Sequence, residues 1–146
     1  MNILVSHCFL GEPCRYDGQS RLDRQIIELH RAGHNLIPVC PEVLGGLETP
    51  RPPAELQPDG RVLTRGGEDV TSQYRAGAER VLAIARERDC DIAILKARSP
   101  SCGSGEVYDG SFTGTLTPGW GVAARLLSDA GIEVIDEEHL PAWLYQ

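Results

Sequence analysis

Four short runs of aliphatic and β-branched residues punctuate the chain: Asn2 to Ser6, Asn35 to Val39, Asp91 to Lys96 and Ile132 to Ile135. Runs of this length with little polar alternation predict strands buried on both faces of a parallel sheet. Between them the apolar spacing changes to the helical period. Leu22 to Arg31 carries Leu22, Ile26, Ile27 and Leu29 on one face and is closed by Gly33. A long helix through about Arg88 carries the stripe Tyr74, Ala78, Val81, Leu82 and Ala85, with Asp69 or Thr71 as its cap. A further helix over Trp120 to Ala130, with Val122, Ala123, Leu126 and Leu127 inward, stops at Gly131. Strand, helix, strand in this order predicts an α/β fold. The expectation is a single three-layer domain over residues 1–146, with a mostly parallel, Rossmann-like sheet of about four strands plus a small hairpin.

The remaining segments are punctuated. Asp59-Gly60 between Glu55-Leu-Gln57 and Arg61-Val-Leu-Thr64 predicts that hairpin. Residues 6–20, 40–58 and 99–117 are dense in Gly, Pro, Ser and Asp and read as irregular loops, and loops of that length usually carry function. Tyr16-Asp17-Gly18 and Tyr108-Asp109-Gly110 recur as matching triplets, in the form of paired turns.

Composition narrows the partners. With 21 acidic against 14 basic residues the net charge is -7, which argues against stable nucleic-acid binding and leaves a small nucleotide or nucleobase open. No apolar stretch approaches the roughly 20 residues that cross a bilayer. The chain enters its first strand at Asn2 with no basic leader, and its five cysteines are an odd number, so reduced thiols in the cytoplasm are expected rather than a disulfide framework. Monomer and homodimer are both compatible.

The cysteines carry the chemistry. Cys8, Cys40 and Cys102 each follow the end of an apolar run, where parallel strands would gather them, and ligands bind beyond the carboxyl ends of such strands. Three thiolates there suit a soft metal or a metal-sulfur site. Cys90 sits at a strand start, on the opposite edge, and reads as a small buried hydrophobe. Cys14, separated from Cys8 by five residues in one loop, fits a ligand, a redox partner or a disulfide to Cys8. Zinc is disfavoured by the absence of a C-x2-C pair and by scattered histidines. Arg15 stands one residue too late for the Cys-x5-Arg loop of a phosphatase.

Glu42, two residues after Cys40, is placed to act as a general base, and a solvated loop glutamate is the competing reading. Ser99, Ser101 and Ser104 flank Cys102 as hydrogen-bond donors or as ordinary turn residues. Arg15, Asp17, Arg51, Arg98 and Asp109 stand ready to orient a polar ligand or to pair with one another.

Three long blocks resemble the thiouracil desulfidase family, earlier catalogued as domain of unknown function 523. They are Ser6-His-Cys8-Phe-Leu-Gly11 with Cys14-Arg-Tyr-Asp-Gly18, Cys40-Pro-Glu42-Val-Leu-Gly-Gly-Leu47 with Pro50-Arg-Pro-Pro-Ala-Glu55, and Leu95-Lys-Ala-Arg-Ser-Pro-Ser-Cys-Gly103 with Tyr108-Asp-Gly110. Phe9 stands where the family block has leucine, a conservative apolar change. The resemblance implies a 4Fe-4S cluster held by Cys8, Cys40 and Cys102, with Cys14 as the alternative ligand and one iron open to the sulfur of the substrate. It further implies a thiolated nucleobase or nucleotide as substrate, Glu42 as the base that activates water, and Ser101 or Ser99 at the pyrimidine edge. The competing class is a non-catalytic soft-metal module, or a thiol-redox module using Cys8 and Cys14.

Overall fold

The computed structural model describes residues 1–146. Strands β1 (Asn2–Ser6), β2 (Asn35–Val39), β5 (Ile92–Leu95) and β8 (Glu133–Asp136) form one sheet in the order β2-β1-β5-β8, every pair parallel. The four-stranded parallel sheet expected from the apolar runs is thus present. Side chains alternate across it. Ile3, Val5, Ile92 and Ile94 face helix α1 (Arg24–Arg31) and the C-terminal Leu144, whereas Leu4, Ala93 and Leu95 face helices α3 (Thr71–Glu87) and α4 (Val122–Asp129). Both faces are dry, which explains why these strands read as continuous apolar runs. From β1 the chain crosses to β2 on one side, and α3 later returns it to β5 on the other. The switch point therefore falls at the carboxyl end of β1.

Local chemistry sets the helix ends. Asp23 caps α1, its Oδ1 accepting from the backbone N–H of Gln25 and Ile26 at 2.9 and 3.3 Å, an arrangement that stabilises a helix by ~0.5–2 kcal/mol. The cap starts α1 at Arg24, so Leu22 lies outside the helix and is exposed rather than part of the inward face. Neither Asp69 nor Thr71 occupies the cap position of α3, which is Val70; Asp69 instead accepts from the Thr71 N–H at 2.9 Å in the turn before it. All five apolar residues of the α3 stripe are buried.

One hairpin meets expectation, and three features, a second hairpin, a helix start and a short helix, depart from it. The hairpin of β3 (Ala54–Leu56) and β4 (Val62–Thr64) forms as predicted around Asp59-Gly60. A second hairpin, β6 (Ser104–Tyr108) with β7 (Leu116–Trp120), occupies the Gly/Ser/Thr-rich stretch read as loop. Its β-formers, Val107, Tyr108, Thr117 and Trp120, are interrupted by Gly105, Pro118 and Gly119, so the segment reads as loop in sequence. Because β7 runs to Trp120, α4 begins only at Val122. The proline-rich stretch after Cys40 contains a short helix, α2 (Pro41–Leu44), started by proline at its first position, where the missing N–H has no helical partner to lose.

Helix α2 lies directly on α3. A Cβ added at Gly77 would meet the Pro41 carbonyl oxygen at 1.9 Å, and one at Gly45 would meet the Gln73 carbonyl oxygen at 2.0 Å. Backbone touches backbone at these two glycines, and no larger residue fits.

Candidate active site

Beyond the carboxyl ends of β1, β2 and β5 lies a cavity of about 460 Å³. Cys8, Cys14, Cys40, Cys102, Glu42, Ser99 and Ser101 all line it. Cys8 sits on the single 3-10 turn that follows β1, Cys40 is the residue between β2 and α2, and Cys102 is in the tight turn between β5 and β6. Cys90 packs among Val81, Leu82 and Ile132 at the amino end of β5, apart from the other four. All five thiols are free.

Cys8, Cys14 and Cys40 form a connected set. Cys14 neighbours both Cys8 and Cys40, and the Cys40 thiol also lies 3.8 Å from the Cys14 carbonyl oxygen. The hydrogen bond to Cys40 pulls the Cys14 thiol down, but the one to Cys8 and burial push it up, to a net value of about 11. Bonding to Cys14 and then burial raise Cys40 well above the ordinary thiol range. Burial pushes Cys102 up to about 12, against the opposing bond from Ser101. Thiolates in such a place need a cationic partner, and metal coordination deprotonates a thiol outright. No three His, Cys, Asp or Glu side chains converge closely enough to hold one ion. The donors are all sulfur and spread around a cavity, which fits a polynuclear centre better than a single zinc.

Glu42 is held on three sides. Its Oε1 accepts from the Tyr74 hydroxyl at 2.8 Å and from Arg51 Nε at 3.1 Å, and its Oε2 accepts from the Ser101 hydroxyl at 3.0 Å. The Glu42 and Arg51 side chains are only 16% and 6% exposed, so the ion pair is shielded from solvent. The solvated-loop reading of Glu42 is therefore excluded. Tyr74 is 2% exposed, and burial together with the Glu42 charge keeps its hydroxyl protonated, as a donor. Ser99 sets Ser101 in turn: its Oγ accepts from the N–H of Ser101 and of Cys102, both at 3.1 Å, and lies 2.9 Å from the Ser101 Oγ. The Ser101 Oγ is 3.5 Å from the Cys102 sulfur. Ser6 accepts from the Lys96 N–H at 2.9 Å and lies 3.8 Å from the same sulfur.

Arg51 joins two parts of the site, because its Nη2 also donates to the Cys14 carbonyl at 2.9 Å while its Nη1 holds Glu48 and Thr49. Arg98 pairs with Glu138 at 2.6 Å, and Arg15 lines the cavity. Ser104 opens β6 and is outside the cavity lining. The two Tyr-Asp-Gly triplets are matching turns: Asp17 accepts from the Gln19 N–H and Asp109 from the Ser111 N–H, at 3.0 and 2.9 Å. Each places a tyrosine, Tyr16 or Tyr108, on the cavity wall.

A family model described as 2-thiouracil desulfurase matches residues 3–139, nearly the whole chain. The chain belongs to the 2-thiouracil desulfurase family. It is 43% identical over 150 residues to the uncharacterized protein YbbK of Bacillus subtilis (strain 168), which covers 94% of this chain and 97% of that one. It is also similar to the solved structure of a 4Fe-4S-dependent thiouracil desulfidase, TudS, with a TM-score of 0.89 and 45% identity over 96% of this chain and 93% of that one. Within the site, the sequence pattern gave no sign of Tyr74's role and placed it in the core stripe. No periodic signal separates an inward tyrosine that packs from one whose hydroxyl reaches a carboxylate.

Proposed function

We propose that this chain, acting as one unit over residues 1–146, is an iron-sulfur-dependent desulfidase that removes sulfur from thiolated pyrimidines such as 2-thiouracil, 4-thiouracil or 4-thiouridine monophosphate. The observation that carries the reading is the convergence of four thiols and the Glu42–Ser101 pair on one cavity at the switch point of a parallel sheet. Family membership and the likeness to TudS support it.

Cys8, Cys40 and Cys102 would hold the 4Fe-4S cluster, each coming from the end of a different strand, with Cys14 as the fourth thiol beside them. When bound, the cluster supplies a Lewis-acidic iron for the thiocarbonyl sulfur. Glu42 does the proton chemistry of a hydrolysis. Water oxygen bonds to the ring carbon as the C=S π pair moves onto sulfur, and Glu42 takes one proton from that water. The remaining C–S bond then breaks as the adduct's hydroxyl gives up its proton and closes the carbonyl, and both protons leave with the sulfur as hydrogen sulfide, so nothing is oxidised or reduced overall. Tyr74 and Arg51 occupy Oε1 and fix the carboxylate, so Oε2, on the side of Ser101, is the oxygen that works. Once Oε2 has taken that proton, the Ser101 hydroxyl, oriented by Ser99, is released from Oε2 and turns its single O–H toward the pyrimidine edge as the ring gains charge.

The test is anaerobic reconstitution with iron and sulfide, followed by ultraviolet spectra and sulfide assay with 2-thiouracil and 4-thiouridine monophosphate. Loss of the thiocarbonyl band with release of sulfide, dependent on iron, is the expected result. Turnover without iron would favour the thiol-redox reading through Cys8 and Cys14. Stoichiometric zinc or copper with no turnover would favour a soft-metal module.

A further inference from the structure

The wall of the cavity away from the thiols is built by two elements that meet across it. On one side is the β3–β4 hairpin, on the other the loop joining β6 to β7. Glu55 of β3 accepts from the backbone N–H of Gly110 and of Phe112 through one oxygen, at 2.9 and 3.1 Å. Gln57 donates to the Gly110 carbonyl at 3.2 Å. The approach is close enough that a Cβ on Gly110 would meet the Leu56 carbonyl at 2.9 Å. At the centre of this latch Phe112 has φ 57°, a left-handed backbone that a bulky residue adopts only when its surroundings impose it. Its half-buried ring lines the cavity, and the Arg65 guanidinium lies 5.7 Å from the ring centroid. A strained, clamped aromatic on a binding cavity, with a cation over it, is a stacking platform.

We propose that Phe112 is a specificity-determining residue of this site, stacking on the flat heterocycle of the substrate, and that Glu55 is its positioning residue. The inference rests on the desulfidase reading for the identity of the ring, a pyrimidine. Stacking distinguishes a planar aromatic ring from a puckered saturated one carrying the same polar atoms. It involves no bond making, so binding alone reads it.

The probes are uracil and 5,6-dihydrouracil, titrated calorimetrically into the reconstituted protein, with 2-thiouracil and its 5,6-dihydro form assayed for turnover on the same preparation. Wild type is expected to bind uracil at least about tenfold more tightly than the dihydro compound, the scale of one base-aromatic stack. Phe112→Leu should abolish that ratio, and Phe112→Tyr should keep it. Phe112→Gly removes the ring while relaxing the left-handed backbone, so it reads the ring's contribution without added strain. Glu55→Ala should lower the ratio with Phe112 intact and raise KM more than it lowers kcat. A wild-type ratio near one, or an unchanged ratio in folded Phe112→Leu and Phe112→Gly, overturns the proposal. If uracil binding obeys these expectations while neither thio compound is turned over, it is the desulfidase reading that fails and the stacking assignment that stands.

Discussion

The Tyr74 hydroxyl donates to Oε1 of Glu42 at 2.8 Å, tying a helix that packs on the sheet to a residue two places beyond Cys40. The contact exists because α2 and α3 touch backbone to backbone at Gly45 and Gly77. Tyr74 thereby positions the carboxylate without itself reaching the thiols. Tyr74→Phe keeps the buried ring and removes one hydrogen bond to a charged group, a loss of about 1.5–3 kcal/mol. Turnover is expected to fall on the order of tenfold through kcat, with KM and iron content nearly unchanged; steady-state kinetics beside iron analysis checks this. A lowered melting temperature with normal kcat would assign Tyr74 to packing alone.

Glu42→Gln retains the shape and an acceptor for Ser101 or Tyr74 but removes the charge that Arg51 faces. Loss of positioned proton transfer should cost on the order of 100-fold or more in kcat. Leaving Arg51 shielded and unpaired should also lower the melting temperature. The two effects separate when iron content, melting temperature and desulfuration rate are measured on one preparation. Near-normal turnover with intact iron would remove Glu42 from the mechanism.

Gly77→Ala inserts a methyl group where the Pro41 carbonyl oxygen already lies 1.9 Å from the Cβ position. Backbone must move on both helices, at a cost of about 1–3 kcal/mol or more. The displacement carries Glu42 away from Tyr74, so kcat should fall together with the melting temperature. Gly66→Ala, at a glycine without a left-handed backbone and with only the Thr64 side chain within 4 Å of the Cβ position, provides the control.

Replacing Cys8, Cys40 or Cys102 by alanine should abolish the visible charge-transfer absorbance of a reconstituted iron-sulfur centre, whereas Cys90→Ala should leave it. Cys14→Ala decides the alternative ligand set. Retained absorbance in that variant supports the three strand-end thiols, and lost absorbance with Cys40→Ala intact would exchange the two roles.

Away from the cavity, His139 bonds to Asp136 through Nδ1 at 2.7 Å, and this contact raises its pKa above the ordinary value. A raised folded-state value stabilises the protein below about pH 6.5, the unfolded histidine value, and that contribution disappears as pH rises through the folded value. His139→Gln should therefore lower the melting temperature at pH 5.5 and leave it nearly unchanged at pH 9, values chosen on either side of about 6.5. Equal deficits at both pH values would refute the assignment.

The parallel sheet was legible because strands buried on both faces must be apolar throughout, and Ile3, Leu4, Val5 and Ile92 to Leu95 leave no other reading. The same logic placed Cys8, Cys40 and Cys102 at one sheet edge, since parallel strands point their carboxyl ends the same way. Glu42 and the serines followed from their nearness in sequence to those cysteines. Local order also determined the β3–β4 hairpin through Asp59-Gly60. What only the tertiary structure decided depends on contacts between residues far apart in the chain. Tyr74 reaches Glu42 across 32 positions, Ser101 reaches it across 59, and Glu55 reaches Phe112 across 57. The β6–β7 hairpin escaped because Gly105, Pro118 and Gly119 interrupt its β-formers and only Val107 is buried, so no alternating apolar pattern marks its strands. A short-range pattern records which face of an element is buried; it does not record which polar atom on that face meets which partner, because that is set by how helices and loops pack once the sheet has formed.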